Sequence, residues 1–246
     1  MESLTFTISL ERSSGRASMN TTPIIALDVS SADDALRLVD DLGESCRFYK
    51  VGNELFTASG PDVVRRLRDR QADVFLDLKF HDIPNTVAGG VRNAVRAGAR
   101  LVTVHATGGE AMVKAAADAA GGECGVLAVT ILTSLTEDVV AAAWGRDRVN
   151  VADEVLRLAH VAARSGAHGV VCSGIEAPLV RTEFGDRLAV LVPGVRAAGG
   201  AVQDQARVVT PRQAAEAGAR YIVVGRMVTS APDRRAAMQA VLRELG

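Results

Sequence analysis

The stretch Val74-Phe-Leu-Asp77-Leu-Lys79-Phe-His-Asp82-Ile-Pro84-Asn-Thr86 leads into a helical pattern over Val87–Ala97, a stop at Gly98, and a second apolar run over Leu101–His105. Val74–Leu78 is apolar on both alternating sets of positions apart from Asp77, the pattern of a strand buried on both faces. Side chains alternate along a strand, so Asp77 and Lys79 are expected to point the same way. A carboxylate and an ammonium at a strand end are costly to bury unless paired and hydrogen-bonded. Asp82 follows at once, Pro84 blocks further strand, and Asn85 or Thr86 is placed to cap a helix. The residues alone allow two readings of this corner: a structural ion pair with an N-cap, or an acid–base–acid array that performs chemistry.

Working outward, the same strand-then-helix pattern runs through the chain from Pro23. Strands are expected at Ile24–Val29, Phe48–Val51, Val74–Leu78, Leu101–His105, Val126–Leu132, Gly169–Cys172, Leu188–Val192 and Tyr221–Val224. Helical patterns follow them: from a Ser30 or Ser31 cap to Leu42, then Asp62–Arg70, Val87–Ala97, Glu110–Ala119, and a stretch ending at Ala143. Further helices are expected at Val151–Ser165, Ala177–Phe184, Pro211–Ala217 and Asp233–Leu245. Gly98, Gly166 and Gly218 each stop a helix just before a strand. Eight strand–helix units in 246 residues predict a single (β/α)8 TIM barrel. The competing doubly wound sheet would carry Gly-x-Gly-x-x-Gly after its first strand, where this chain reads Ile25-Ala-Leu-Asp28-Val-Ser. Residues 1–20 lack a sustained period and are expected to form a mobile leader or a weak first helix, with residues 21–246 forming the barrel.

Composition narrows the classes. A formal net charge of −1 argues against a nucleic acid or an anionic membrane as the main partner. No apolar run is long enough to span a bilayer, and the first residues do not read as a secretory signal. Cys46, Cys124 and Cys172 are odd in number and widely spaced, which fits reduced thiols in a cytoplasmic enzyme better than disulfides or a zinc site. Only three of the 28 basic residues are lysines, Lys50, Lys79 and Lys114, and the first two lie at expected strand ends. Lysine, unlike arginine, readily gives up and recovers a proton.

Barrels of this kind collect their chemistry at the carboxyl ends of the strands. Asp28 is expected there after the first strand, Lys50 after the second, Asp77 and Lys79 at the third, His105 at the fourth, and Thr133 and Ser134 after the fifth. After the seventh comes Pro193-Gly194-Val195-Arg196, then a loop through Gly199-Gly200 to Gln203-Asp204-Gln205. Gly225-Arg226 follows the eighth. Loops after strands seven and eight often hold phosphate, and Gly194, Gly225, Arg196 and Arg226 supply suitable backbone donors and guanidiniums. The two glycines would let the intervening loop close as a lid. Plainer readings stand beside these: Asp28 as cap of the first helix, Thr86 as a cap, Ser134 as a loop hydroxyl, Arg226 as a surface charge. His105 reads as a structural donor and stays outside the catalytic set.

The motif Asp77-Leu-Lys79-Phe-His-Asp82-Ile-Pro-Asn-Thr86 resembles that of the orotidine 5'-monophosphate decarboxylase family. Ala26-Leu-Asp28, Lys50-Val-Gly52, Val104-His105-Ala106, Leu132-Thr133-Ser134, Pro193-Gly194-Val195-Arg196, Asp204-Gln205 and Val224-Gly225-Arg226 follow in family order. Gln203 stands where relatives often have Gly. The resemblance covers about residues 22–246 and implies cofactor-free conversion of orotidine 5'-monophosphate to uridine 5'-monophosphate and carbon dioxide, a step of pyrimidine biosynthesis. It further implies Lys79 as proton donor, with Asp77, Asp82 and Lys50 completing a charged network. Arg196, Gln205, Gly225 and Arg226 would hold the phosphate, Asp28, Lys50 and Thr86 the ribose, and Thr133 and Ser134 the base, with Asp77 and Pro193 also lining the substrate site. A homodimer is implied, with Asp82 and Thr86 reaching into the neighbouring active site. Two other readings remain open at this point: a magnesium-dependent sugar-phosphate decarboxylase or aldolase sharing Asp-x-Lys-x-x-Asp, and a catalytically silent nucleotide-binding barrel.

Overall fold

A computed structural model of the protein describes residues 21–196 and 209–246. Among these, eight parallel strands close into a barrel in sequence order: β1 Thr22–Ala26, β2 Phe48–Gly52, β3 Asp73–Phe80, β4 Leu101–His105, β5 Gly125–Val129, β6 Gly169–Val171, β7 Ala189–Val195 and β8 Tyr221–Val224. β1 pairs with β8 through Thr22–Tyr221 and Ile25–Val224, which removes every sheet edge. The expected TIM barrel is the observed architecture, and the doubly wound sheet is excluded. The expected leader over residues 1–20 lies outside the described residues.

The helices are α1 Ala32–Leu42, α2 Asn53–Ser59, α3 Asp62–Asp69, α4 Pro84–Ala97, α5 Gly109–Ala120, α6 Glu137–Trp144, α7 Val151–Arg164, α8 Ala177–Phe184, α9 Pro211–Glu216, α10 Arg226–Thr229 and α11 Arg234–Leu245. The sequence reading missed α2 and α10. Each is too short to show a helical period, and α2 lies between the expected second strand and the expected Asp62–Arg70 helix. Ser31 caps α1, its Oγ accepting from the Asp34 N–H at 3.1 Å, so Asp28 is not the cap. Gly98, Gly166 and Gly218 sit at the three expected stops with positive φ. No helix among the described residues is long and apolar enough to cross a membrane.

Alternation along the strands divides the core in two. Ile25, Val51, Leu76, Val102, Val104, Ala128 and Val190 face the helices and form the outer layer. Ala26, Phe48, Phe75, Leu101, Leu127, Val171, Leu191 and Val223 point inward and fill the barrel. Two residues further along the same inward face come Asp28, Lys50, Asp77 and Thr103, so the apolar plug ends where the polar layer begins.

Two strands depart from regular geometry at the carboxyl rim. The β3–β4 register shifts between Leu76 and Phe80, and the β7–β8 register shifts between Val192 and Val195. Both strands consequently run past their expected ends. Pro193 and Gly194 lie inside β7 instead of after it, where a bulge tolerates a proline that cannot donate to the ladder. β1 is shorter than expected, ending at Ala26 with Asp28 two residues beyond. β5 and β6 likewise end earlier, at Val129 and Val171.

Gly169 of β6 lies directly beside Ala189 of β7. A Cβ built there would lie 2.2 Å from the Ala189 carbonyl oxygen. Gly169→Ala is therefore expected to separate the two strands and to destabilise the protein by about 1–3 kcal/mol, as overpacking of a rigid core does. Chemical denaturation of the variant checks this, and an unchanged midpoint would show that β6 can shift without cost.

Candidate active site

At the carboxyl end of the barrel a cavity of about 380 Å³ is lined by Asp28, Lys50, Asp77, Lys79, Thr133, Ser134, Pro193, Gly194, Arg196, Gly225 and Arg226 above an apolar floor that includes Ala26, Phe75 and Leu191. All the expected site residues within the described chain meet here except Asp82 and Thr86. Gln205 and the Gly199-Gly200 lid lie outside the described residues.

The charged members form an alternating chain. Lys50 Nζ donates to Asp28 Oδ1 at 2.8 Å and lies 3.9 Å from Asp77 Oδ2. Lys79 Nζ donates to both oxygens of Asp77 at 2.9 Å. The side chains of Lys50 and Asp77 are 12% and 13% exposed, against 32% for Lys79 and 64% for Asp28. The two deep charges thus compensate one another, while the outer two face the cavity and solvent. Each charge in the low-dielectric neck has an opposite neighbour, which offsets the cost of taking it out of water.

Asp77 and Lys79 do converge, but not through plain strand alternation. Lys79 has φ 50°, a left-handed conformation rare outside glycine. Its N–H, turned away from the β3–β4 ladder, donates to Thr103 Oγ1 at 2.8 Å, and the Thr103 hydroxyl donates to Asp77 Oδ1 at 2.9 Å. Thr103 is fully buried and was absent from the sequence reading; only its inward register on β4 beside Leu101 could have marked it.

Beyond β3 the chain turns outward. Asp82 is exposed, and its Oδ1 accepts from the Ile83 N–H at 2.6 Å. Within one chain Asp82 does not join the Lys79 cluster. The helix is not capped by Asn85 or Thr86 as expected: Ile83 occupies the cap position and Pro84 the first turn, where its fixed φ suits the helix and its missing N–H costs nothing. Asp82, Ile83 and Thr86 form an exposed ridge, with Ile83 at 68% exposure.

His105 lies behind the cluster, its ring centroid 5.3 Å from that of His81. Burial is the main cause holding its pKa below the usual histidine value, with His81 and Lys79 adding to the effect and Asp77 opposing it. It is accordingly neutral at pH 7, in keeping with a structural place. On the opposite wall, Arg196 donates its backbone N–H to the Val209 carbonyl at 3.0 Å. Its Nε is buried and has no hydrogen-bond partner among the described residues. A guanidinium nitrogen in that condition fits an anionic ligand.

Comparison with known proteins matches this geometry to a family. The chain is 44% identical over 230 residues to orotidine 5'-phosphate decarboxylase from Moorella thermoacetica, covering 90% of this chain and 91% of that protein. It is 45% identical over 232 residues to the protein of that name from Shewanella sediminis, covering 92% and 98%. Among solved structures, orotidine 5'-phosphate decarboxylase from Lactobacillus acidophilus superposes with a TM-score of 0.82 at 38% identity, covering 92% of this chain and 99% of that one. The model of the orotidine 5'-phosphate decarboxylase / HUMPS family matches residues 21–241, and the chain belongs to that family.

Proposed function

We propose that this protein is an orotidine 5'-phosphate decarboxylase, a carboxy-lyase that converts orotidine 5'-monophosphate to uridine 5'-monophosphate and carbon dioxide in pyrimidine biosynthesis. The observation that carries the reading is the paired Lys79 ammonium at the mouth of a nucleotide-sized cavity, with Asp77 and Lys50 behind it. Sequence identity of 41–45% to curated relatives bearing that name supports it over the magnesium-dependent aldolase reading. The presence of every charged position speaks against a silent binding module.

Loss of carbon dioxide leaves an electron pair on a ring carbon with no adjacent sink. In our reading Lys79 supplies both needs without a cofactor: its positive charge sits beside the developing carbanion, and its proton is then delivered to that carbon. Asp77 fixes the ammonium, and Lys50 faces Asp77 from its other side. The nucleotide's phosphate would lie against Arg196, Gln205, Gly225 and Arg226, its ribose against Asp28 and Lys50, its base against Thr133 and Ser134, with Pro193 closing the wall. The unpartnered Arg196 Nε supports the phosphate assignment. A barrier reduction on the order of 20 kcal/mol is needed for so difficult a reaction. One preorganised donor contributes about 3–4 kcal/mol. Binding energy from the remote phosphate must therefore help to hold the substrate against the charged array.

The exposed Asp82–Thr86 ridge supports a homodimer in which Asp82 and Thr86 enter the neighbouring site and Ile83 is covered. Three buried cysteines that form no disulfide support a cytoplasmic setting.

Incubation with orotidine 5'-monophosphate, followed by ultraviolet absorbance with and without EDTA, tests the activity; metal-independent turnover is expected, and no turnover would refute the reading. Lys79→Ala is expected to abolish turnover while preserving the melting transition. Arg226→Ala is expected to lower kcat/KM about ten- to hundredfold, the worth of a hydrogen bond to a charged group, with both kcat and KM affected. Mixing inactive Lys79→Ala and Asp82→Ala proteins is expected to restore activity at up to about a quarter of the sites, because a mixed dimer regenerates one intact site. Absence of recovery after subunit exchange would place Asp82 in its own chain's site.

A further inference from the structure

We infer that Thr103 is a positioning residue for Lys79, acting through both the backbone and the carboxylate partner of that lysine; the inference rests on the decarboxylase reading for its kinetic consequence. A lysine with φ 50° on a strand needs a reason, because the conformation is strained for a residue with a Cβ. The β3–β4 register breaks here, so the Lys79 N–H has no ladder carbonyl and would be left unsatisfied. Thr103 Oγ1 takes that N–H at 2.8 Å and gives its own proton to Asp77 Oδ1 at 2.9 Å. A hydroxyl can do this because one atom both accepts and donates in different directions. The backbone that aims Lys79 and the carboxylate that receives it are therefore tied to a single point.

That point is rigid. Thr103 is fully buried, and its backbone stays in register with Leu127 of β5. Its side chain stands one step above Leu101 in the apolar plug, so movement would disturb the barrel core. Asp77 Oδ1 consequently has two donors, Lys79 Nζ and Thr103 Oγ1, and only the first is free to take part in proton transfer. When Lys79 loses its proton, Thr103 still holds Asp77 and the strained backbone in place for reprotonation. Thr103 does not line the cavity, so it would not touch substrate.

Thr103→Val keeps the side-chain shape and removes both hydrogen bonds, Thr103→Ala removes them with less crowding, and Thr103→Ser retains the hydroxyl. Steady-state kinetics with orotidine 5'-monophosphate should show kcat reduced about tenfold or more in the Val and Ala variants, with KM within about threefold of wild type. Thr103→Ser should stay near wild type in both constants. A second readout needs no turnover: acylation of lysine amines, quantified by mass spectrometry as the ratio of Lys79 to the exposed Lys114. That ratio should rise severalfold in Thr103→Val and Thr103→Ala and remain at the wild-type value in Thr103→Ser. An unchanged ratio or an unchanged kcat in a folded Val or Ala variant would overturn the inference. A wild-type protein inert toward the substrate would instead overturn the decarboxylase reading, and the labelling ratio would still decide the role of Thr103.

Discussion

Asp77 is the charge on which the site depends. Its carboxylate lies in the neck of an apolar barrel, mostly out of water, between two ammoniums and one hydroxyl. Removing the deeper ammonium, Lys50, would leave Asp77 short of compensation in a low-dielectric setting, and buried pairs are costly to break in this way even when they add little net stability. Lys79 is more exposed, so water can take its place beside the carboxylate. Asp28 and Lys79, at the two ends of the chain of charges, are also its most exposed members, so the cluster grades from a fixed interior to groups able to meet a ligand.

The apolar plug below this cluster has its own part. Phe48, Phe75 and Leu101 fill the barrel immediately beneath Lys50, Asp77 and Thr103. A close-packed floor of this kind does not yield, so the polar layer inherits its positions from the strand register. The two irregularities, at Leu76–Phe80 and Val192–Val195, are confined to strands that carry site residues. Bulges re-aim side chains at barrel rims, and here they redirect Lys79 on one wall and Pro193, Gly194 and Arg196 on the other. Regular strands would have carried the chain past the cavity.

The chain turns away from its own site after Phe80. Asp82 and Thr86 belong to the same ten-residue motif as Lys79, yet the corner at Ile83-Pro84 places them on an outward ridge. Motif membership therefore does not imply one pocket. A compact motif can serve two sites when a turn divides it, which gives the proposed dimer a physical basis in the course of the backbone.

The amino-acid sequence by itself determined the eight-fold alternation, the helix stops at glycine, and the ends of the strands to within a few residues, because these follow from local periodicity and backbone preference. It also marked Asp28, Lys50, Asp77, Lys79, Thr133, Ser134, Arg196 and Arg226 as a set, since a barrel gathers whatever follows its strands. Local pattern could not reveal the left-handed backbone of Lys79, because that conformation is held by Thr103 from the adjoining strand, 24 residues away. Nor could it show that Ile83, not Asn85 or Thr86, stands at the helix cap, or that Pro193 lies within β7. Those features were decided by the closed barrel, where each strand's geometry is fixed by hydrogen bonds to neighbours far away in the chain.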